Sequence, residues 1–340
     1  MKALFLGLGG VGQRHLRNLK ALQPDAEIAA VRHGRRTFEI TPALAADRSV
    51  DIEEKYAIRT FPTITAAVES FSPDLAVVAT PSSLHGAQAA ELAAAGVPVL
   101  LEKPLAHDED AMDLLVGAAN QSGTPVMIGY MLRFHPGVLK LRELIAAGAV
   151  GRLNSGHVVA NTYMPDWHPY ETPSDYYVGR QALGGGTILT NIHLIDLLVW
   201  IMGPPARLWC QGGKLSDLDI DVEDTISALF QFDGGVAVTL NMSFVQRPPL
   251  NVMTFRGTEG EISWNLAEAG VTLCRPDGRR ETVAAEPVEW NDLFVAEMRA
   301  FIDAIEAGRA PSPALAEVLD GQRAAFALKR SLAEGGLVAP

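Results

Sequence analysis

The feature that most constrains the fold is a glycine-rich turn close to the start of the chain. An apolar run at residues 3–6 leads directly into the sequence GLGGVG at residues 7–12, and a helical pattern follows. In this setting the first glycine permits the tight turn, the second lets a pyrophosphate approach the backbone, and the third lets helix and strand pack closely. The residues expected around the dinucleotide phosphates are Gly7, Gly9, Gly10, Val11 and Gly12.

The first part of the chain, residues 3–130, alternates apolar runs with helical patterns. The runs 75–79 and 97–101 are almost wholly apolar, which is typical of strands buried on both faces of a parallel sheet. This alternation predicts a doubly wound Rossmann domain, which we assign to residues 1–124.

The pattern changes after Pro125. A helical pattern at 138–147 opens this part, and amphipathic helical patterns at 292–306 and 314–333 close the chain. A hairpin signal, Asp233-Gly234-Gly235, joins two strand-like runs. The strand-like runs are 153–160, 225–232, 236–242, 251–256 and 260–264. We therefore expect an α/β chain whose second domain, residues 125–340, contains a mainly antiparallel sheet.

Composition excludes several classes of partner. The 340 residues include 28 Lys and Arg against 40 Asp and Glu, a net charge of −12 that repels nucleic acid and anionic membranes. No apolar stretch reaches the roughly 20 residues of a membrane-spanning helix. Cys210 and Cys274 are far apart, which argues against a disulfide framework or a zinc site. We expect a cytoplasmic protein that binds no nucleic acid, membrane or metal.

The end of the second predicted strand is basic. Units that bind NAD usually place a carboxylate about 20 residues after the glycines, where it binds the ribose 2′-hydroxyl. Here the residue is Arg32, and no carboxylate occurs from residue 28 to 38. Because an arginine fork suits a 2′-phosphate, we predict NADP(H) over NAD(H), with Arg32, His33 and Arg36 at that phosphate. If these side chains form only a solvated loop, NAD is the alternative.

A charged pair and a proline, Glu102-Lys103-Pro104, follow the buried run at 97–101. They lie at the carboxyl edge, where open α/β sheets bind ligands. The Lys103 ammonium can donate a hydrogen bond to a substrate oxygen and stabilise charge during hydride transfer, and Glu102 can orient it. The alternative is an exposed ion pair at a strand end.

These motifs together resemble one family. The glycine turn, Ala79-Thr80-Pro81, Glu102-Lys103-Pro104 and a segment at 184–196 that runs from GGG to His and Asp are similar to the Gfo/Idh/MocA oxidoreductases over essentially the whole chain. The resemblance implies a nicotinamide dinucleotide in the Rossmann domain, and a second domain with an open sheet that binds substrate and forms the oligomer interface. It also implies oxidation of a sugar or cyclitol hydroxyl, or the reverse reduction. The residues it places beside the nicotinamide and ribose are Thr80, Pro81, Ser82 and His85, although His85 can also be read as a surface histidine.

By the same resemblance, His193 matches the family's proton-exchanging histidine, and an imidazole suits that task near neutral pH. Family members usually carry an aspartate three or four residues earlier, where this chain has Thr190 and Leu189. We expect Thr190 on the same helix face as His193, where it can bond substrate but cannot take a proton. Three alternatives stay open: Lys103 and His193 act without a carboxylate, Asp196 replaces the missing aspartate, or catalysis is altered. Asp196 can also be a purely structural residue.

Aromatic and polar side chains alternate at residues 163–170. Aromatic faces pack on the C–H faces of sugars while polar atoms meet hydroxyls, so this segment is predicted to form a carbohydrate lid. A subunit interface is the alternative. Nearby arginines can bind a substrate carboxylate. The residues expected to bind substrate are Arg133, Tyr163, Trp167, His168, Arg180, Thr190 and Asn191.

The sequence therefore predicts a dehydrogenase or reductase that uses NADP(H) on a sugar-like substrate and assembles as a homodimer or homotetramer. In this hypothesis Lys103 polarises the reacting oxygen and His193 exchanges its proton. Two alternatives remain. One is a transient-redox enzyme in which tightly held NAD permits bond cleavage, and the other is a dinucleotide-binding regulator that has lost catalysis.

Overall fold

A computed structural model describes residues 1–32, 37–167, 172–268 and 270–340. The strands are β1 (Lys2–Leu6), β2 (Glu27–Val31), β3 (Phe38–Ile40), β4 (Ala46–Asp51), β5 (Arg59–Phe61), β6 (Leu75–Val78), β7 (Val99–Glu102), β8 (Val126–Gly129), β9 (Leu153–Tyr163), β10 (Arg207–Gly213), β11 (Thr225–Gln231), β12 (Ala237–Ser243), β13 (Val245–Gly257), β14 (Gly260–Asn265), β15 (Val271–Cys274) and β16 (Arg280–Val283). The α-helices are α1 (Gly10–Leu22), α2 (Ile52–Lys55), α3 (Ile64–Phe71), α4 (Ser82–Ala94), α5 (Glu109–Ser122), α6 (Pro136–Ala146), α7 (Thr187–Thr190), α8 (Ile192–Met202), α9 (Trp290–Glu306) and α10 (Leu315–Glu334).

Six strands form a parallel sheet in the order β5-β2-β1-β6-β7-β8. Helices cover both faces, and alternate residues divide between them: Phe5 packs with α1 and α9, whereas Leu4 packs with α3, α4 and α5. Burial on both faces is the reason that these strands read as continuous apolar runs. The predicted doubly wound sheet is confirmed, and its strand order places the ends of β1, β6 and β7 side by side.

The parallel sheet draws on residues from both expected domains. Strand β8 lies after the expected division at 124/125, yet it pairs with β7 as the last parallel strand. Helix α9, from the last part of the chain, buries Met298 and Phe301 in the same apolar cluster as Leu16 of α1. The β3–β4 hairpin and the three-residue edge strand β5 were not predicted, because such short strands carry little periodicity.

Eight strands form the second sheet, in the order β10-β11-β12-β9-β13-β14-β15-β16. Only the pairing of β12 with β9 is parallel among these strands, so the predicted mainly antiparallel sheet is confirmed. Residues of β10 and β11 share an apolar cluster with α8 and α10. On β11, Ile226 and Phe230 are buried while Leu229 between them is 39% exposed, so the second face is open along this part of the sheet.

The helix that was expected to carry both Thr190 and His193 is interrupted. Helix α7 ends at Thr190 and α8 begins at Ile192, and the helical segments 181–190 and 192–202 meet at a bend of 49°. The backbone N–H of Ile188 donates to Glu223 Oε1 at 3.1 Å, which fixes α7 against the chain just before β11. The expectation that Thr190 and His193 share one helix face was wrong, since they lie on different helices.

Among the described residues, no single helix is long and apolar enough to cross a membrane. The bent pair at residues 181–190 and 192–202 meets that test when its two parts are combined, but α8 is largely buried within the protein core. Cys210 and Cys274 are both free thiols.

Candidate functional site

A cleft of about 660 Å³ lies where the carboxyl ends of the parallel strands face the second sheet. Most residues predicted from separate motifs meet here. The first half of the chain contributes Gly7, Gly9, Gly10, Val11, Thr80, Pro81, His85, Glu102 and Lys103. The second half contributes Trp167, Thr190, Asn191 and His193.

The glycine turn has the geometry that an approaching phosphate requires. Gly7 has φ +88°, and a Cβ on Gly12 would lie 2.1 Å from the Gly7 carbonyl oxygen, so both positions need glycine. No described atom lies within 4 Å of a Cβ built on Gly9. Helix α1 starts at Gly10 without a side-chain cap, which leaves amide N–H groups facing this open space.

Arg32, expected at a 2′-phosphate, already has a carboxylate partner. Its Nε lies 3.2 Å from Glu53 Oε1, and only 12% of the side chain is exposed. Glu53 belongs to α2, beyond the residues 28–38 that the sequence argument considered, and was missed for that reason. His33 and Arg36 lie outside the described residues.

Lys103 reaches across the cleft to the second half of the chain. Its Nζ donates to the Thr190 carbonyl oxygen at 2.9 Å, and burial lowers its pKa while Glu102 opposes that shift. The Lys103–Pro104 peptide is cis. The Glu102 carboxylate is buried and accepts from His15 Nε2 at 2.7 Å and from the Lys103 backbone N–H at 3.2 Å. The alternative of an exposed ion pair was therefore wrong.

Ser82 and His85, on the first turn of α4, are both buried, so the surface reading of His85 was also wrong. His85 Nδ1 lies 2.7 Å from the Pro104 carbonyl oxygen and Nε2 lies 2.8 Å from that of Thr80. Burial lowers the pKa of His85, so the neutral ring donates to one carbonyl at a time. His85 thereby links the chain after β6 to the chain after β7.

Below Lys103, three buried side chains form an acidic cluster: His15, Glu102 and Glu297, whose polar atoms lie within 4.8 Å of one another. Burial, and secondarily Glu102, raises the pKa of Glu297 well above its usual value, which favours the protonated carboxyl. Two ligands about 2.0–2.1 Å from a tetrahedral zinc ion would lie roughly 3.3 Å apart. The 2.7 Å contact between His15 and Glu102 is instead a hydrogen bond.

His193 lies on α8 with its ring edge toward Tyr130, at 5.7 Å between centroids. Burial, reinforced by Lys103, lowers the pKa of His193 to about 3, so the imidazole is neutral at neutral pH. Nδ1 is buried and has no partner among the described residues. Nε2 is therefore the ring nitrogen that is available to a ligand in the cleft.

Arg133 and Asp196 form a buried ion pair away from the cleft. Arg133 Nε and Nη2 donate to the two carboxylate oxygens of Asp196 at 2.8 and 2.7 Å, and the guanidinium stacks on Trp200. This corrects the expectation that Arg133 binds substrate, because its charge is already neutralised. It also removes Asp196 as a replacement for the missing aspartate, since it faces Arg133 rather than His193.

The remaining predicted substrate residues divide into two groups. Thr190 and Asn191 line the cleft, and Asn191 Nδ2 donates to Thr187 Oγ1 at 3.1 Å. Trp167 also lines it and packs edge-on against Phe244.

Tyr163 and Arg180 are engaged elsewhere. Arg247 stacks on the Tyr163 ring at 3.7 Å, and Arg180 Nε donates to the Ser174 carbonyl oxygen at 2.6 Å. Neither side chain lines the cleft, which corrects the expectation that both face substrate there. His168 lies outside the described residues.

Sequence reasoning missed part of the lining, namely Arg14, Asp175, Tyr176, Tyr177, Asn251, Leu266, Trp290 and Phe294. Arg14 carried a usable signal, because it follows Gly10 by four residues and therefore lies on the same face of α1. Trp290 and Phe294 belong to α9, and only the packing of α9 on α1 brings them to the cleft.

Comparison with known proteins agrees with this architecture. Residues 1–130 match the oxidoreductase family with an NAD-binding Rossmann fold, and residues 138–263 match the GFO/IDH/MocA C-terminal domain. The chain is 26% identical to 2,7-anhydro-N-acetylneuraminate hydratase of Mediterraneibacter gnavus, over 82% of this chain and 70% of that protein. It is also 26% identical to inositol 2-dehydrogenase 2 of Paenarthrobacter aurescens, over 94% of this chain and 92% of that protein.

Solved structures share the fold. The WlbA dehydrogenase of Bordetella pertussis, crystallised with NADH and UDP-GlcNAcA, superposes with a TM-score of 0.81 at 20% identity, covering 100% of this chain and 98% of that one. The two family matches lie on the two halves of the chain, in the order and with the sheets described above. The chain therefore belongs to the Gfo/Idh/MocA family of oxidoreductases.

Proposed function

We propose that this protein is an NAD(P)-dependent oxidoreductase that transfers hydride between the nicotinamide and a hydroxyl or carbonyl carbon of a sugar-like or cyclitol substrate. One observation carries the proposal: Lys103 and His193, from different halves of the chain, line one cleft together with the open glycine turn. A charged donor and a neutral base beside a dinucleotide turn are the groups that alcohol oxidation needs.

The residues present fit a dinucleotide. The amides of Gly9, Gly10 and Val11 would hold its phosphates in the open space before α1, and Thr80 and Pro81 line the cleft between that turn and Lys103. When bound, the nicotinamide supplies the hydride acceptor or donor.

In the oxidation direction, His193 Nε2 accepts the proton of the substrate hydroxyl, while Lys103 donates a hydrogen bond to the same oxygen as negative charge grows on it. The low pKa of His193 keeps it able to accept a proton across the neutral range. The proton then passes to solvent, because so weak a base does not retain it. In the reduction direction the same groups return a proton to the oxygen.

We further propose NADP(H) as the preferred dinucleotide, with Arg32 at the 2′-phosphate. The basic residues at 32–36 support this. Glu53 opposes it, since its carboxylate occupies one edge of the Arg32 guanidinium at 3.2 Å. The preference therefore depends on whether the phosphate can share Arg32 with Glu53.

The test is fluorescence titration of the purified protein with NADPH and NADH, each repeated with neutral and acidic sugars and cyclitols, followed by absorbance at 340 nm. We expect saturable binding and a change in absorbance with at least one substrate class. Failure of both dinucleotides to bind would overturn the proposal. Saturable binding without turnover on any of these compounds would favour the regulator.

A second candidate, transient redox, is supported by the similarity to a protein named a hydratase. A bound dinucleotide would supply transient oxidation of the substrate in such a reaction and would be unchanged after each turnover. Product would then form from a sugar ether or glycoside with no net change at 340 nm.

We also propose that the chain forms a homodimer or homotetramer through the open face of the second sheet, where Leu229 is 39% exposed. Light scattering that shows a monomer at micromolar concentration would contradict this. The two free thiols are consistent with a reducing, cytoplasmic location, which stays a prediction.

A further inference from the structure

One charged group of the cleft has no role in the function proposed above. Arg14, on α1, lines the cleft and is partly buried, and it forms no ion pair with any described carboxylate. The other cation, Lys103, already donates to the Thr190 carbonyl oxygen. Partial burial of an arginine charge that has no ion-pair partner carries a desolvation cost, and an anionic ligand in the cleft would offset that cost.

The Arg14 side chain packs on an aromatic ring. Its guanidinium carbon lies 4.7 Å from the centroid of the Phe294 ring, and Phe294 is 8% exposed. Trp290 packs edge-on against Phe294 at 6.3 Å and is itself 44% exposed. A guanidinium stacked on a buried ring loses little further conformational freedom when it binds a ligand, which favours affinity.

The location of Arg14 favours substrate over cofactor. Phe294 also contacts the ring of His15, at 5.7 Å, and His15 bonds Glu102 at the end of β7. Arg14 therefore lies on the side of the glycine turn that faces the Lys103 region. The phosphates of a dinucleotide have the amides of the turn itself as donors.

The charges around Arg14 also favour an anionic ligand. Burial lowers the pKa of Arg14, the neighbouring Arg17 lowers it further, and Glu102 partly opposes both. An anion beside the guanidinium would offset the cost of burial and the repulsion from Arg17. Because arginine remains protonated throughout the physiological range, the site would hold a permanent positive charge.

We propose that Arg14, supported by Phe294 and Trp290, is a subsite for an anionic group of the sugar substrate, a carboxylate or a phosphate monoester. The exposed Trp290 ring packs against the sugar's C–H face, while the Arg14 fork pairs with the acid bidentately. This inference rests on the proposed function, since it concerns the substrate of the same cleft. It assigns to Arg14 the acid-binding role that the sequence suggested for Arg133 and Arg180.

The experiment measures binding of three probes to the complex of the protein with NADH: D-glucose, D-glucuronate and D-glucose 6-phosphate. At constant ionic strength, we expect at least one acidic probe to bind about 10- to 100-fold more tightly than glucose, the range for a charge-assisted hydrogen bond. The Arg14→Gln variant loses that advantage, and Arg14→Lys keeps part of it. Comparison of glucuronate with glucose 6-phosphate identifies which acid is preferred.

The matched control is Arg142→Gln, because Arg142 also stacks on an aromatic ring, 4.1 Å from the Trp200 centroid, but does not line the cleft. It should leave the ratio of acidic to neutral probe affinity unchanged. Melting temperatures of all variants check that they remain folded.

Three results would overturn the subsite: acidic probes that bind no better than glucose, an advantage that survives in Arg14→Gln, or a loss in that variant confined to NADH affinity. The last would assign Arg14 to the cofactor. If NADH itself does not bind the wild-type protein, the proposed function fails first. The same ratio, measured without NADH by tryptophan fluorescence, still tests Arg14.

Discussion

Two walls of the cleft are built in different ways. The dinucleotide wall consists of the glycine turn at 7–12 and the strand ends at 79–81 and 102–104, where backbone groups and short contiguous motifs supply the chemistry. The histidine wall consists of α7, α8 and the ion pair of Arg133 with Asp196 behind them, where the geometry depends on contacts between distant segments. The role of a contiguous motif can be predicted without knowledge of the fold. A charged residue of a long-range ion pair can be mistaken for a ligand-binding residue until its partner is known.

The largest expected effect tests whether the histidine wall is held by its ion pair. Asp196→Asn leaves the buried Arg133 guanidinium without its main counter-charge, so we expect the free energy of unfolding to fall by about 3 kcal/mol. Urea denaturation measures it. The control, Asp320→Asn, removes an exposed pair with Arg323 and should cost about 0.5 kcal/mol or less. Equal effects of the two variants would show that the wall does not depend on this pair.

The second prediction concerns the lysine that connects the two walls. Lys103→Met removes the ammonium that stabilises charge on the reacting oxygen, so kcat should fall by roughly 100-fold or more, with dinucleotide affinity nearly unchanged. Steady-state kinetics with fluorescence titration separate the two quantities. Lys140→Met, which removes an exposed pair with Glu143, is the control and should have wild-type turnover. Turnover near that of the wild type in Lys103→Met would refute the role.

The third prediction concerns the pH dependence of kcat/KM, which tests the roles of Lys103 and His193. Burial lowers the pKa of Lys103 below its usual 10.5, so the ammonium loses its proton earlier than a free lysine as pH rises. We expect kcat/KM to fall about tenfold per pH unit on an alkaline limb that begins below pH 10.5. His193, with a pKa of about 3, should give no acid limb between pH 5 and 8. An acid limb near pH 6.5 that disappears in His193→Gln would contradict the neutral imidazole.

The fourth prediction isolates the dinucleotide wall. Gly9→Ala places a methyl group where no described atom lies within 4 Å, so the fold should be unchanged. The same methyl occupies the space in front of α1, and dinucleotide affinity should fall about tenfold or more. Thermal melting and NADH titration are the measurements.

Gly12→Ala is the comparison for Gly9→Ala, because its Cβ would lie 2.1 Å from the Gly7 carbonyl oxygen. This variant should lose stability as well as affinity. If Gly9→Ala binds NADH normally, the phosphates do not lie at this turn.

The smallest expected effect concerns the ribose. Glu53→Gln removes the carboxylate that competes for Arg32, so the ratio of NADPH to NADH affinity should rise a few-fold, and Arg32→Gln should lower it. Titration of both variants with both dinucleotides gives the ratios. A ratio that neither substitution changes would show that Arg32 does not contact the 2′-phosphate.

Much of the fold could be predicted because the signals are local and repeated. The burial of β6 and β7 on both faces required apolar runs, and the alternation along β11 required one buried face. The break at Asn191 could not be predicted, because Ile188, Ile192 and Ile195 keep a helical spacing through it. Glu223, which fixes α7, is 35 residues from Ile188.

The same division holds for the site. The sequence by itself determined the glycine turn, the position of Lys103 at a strand end and the presence of His193, because backbone conformation and strand polarity specify these from a few neighbouring residues. Only the tertiary structure decided that Arg133 pairs with Asp196, that Arg32 pairs with Glu53, and that Arg14 meets Phe294. The physical reason is that a charge acquires its role from the groups beside it after folding. Those groups lie on other helices and strands, too far away in the sequence for a local pattern to predict the contact.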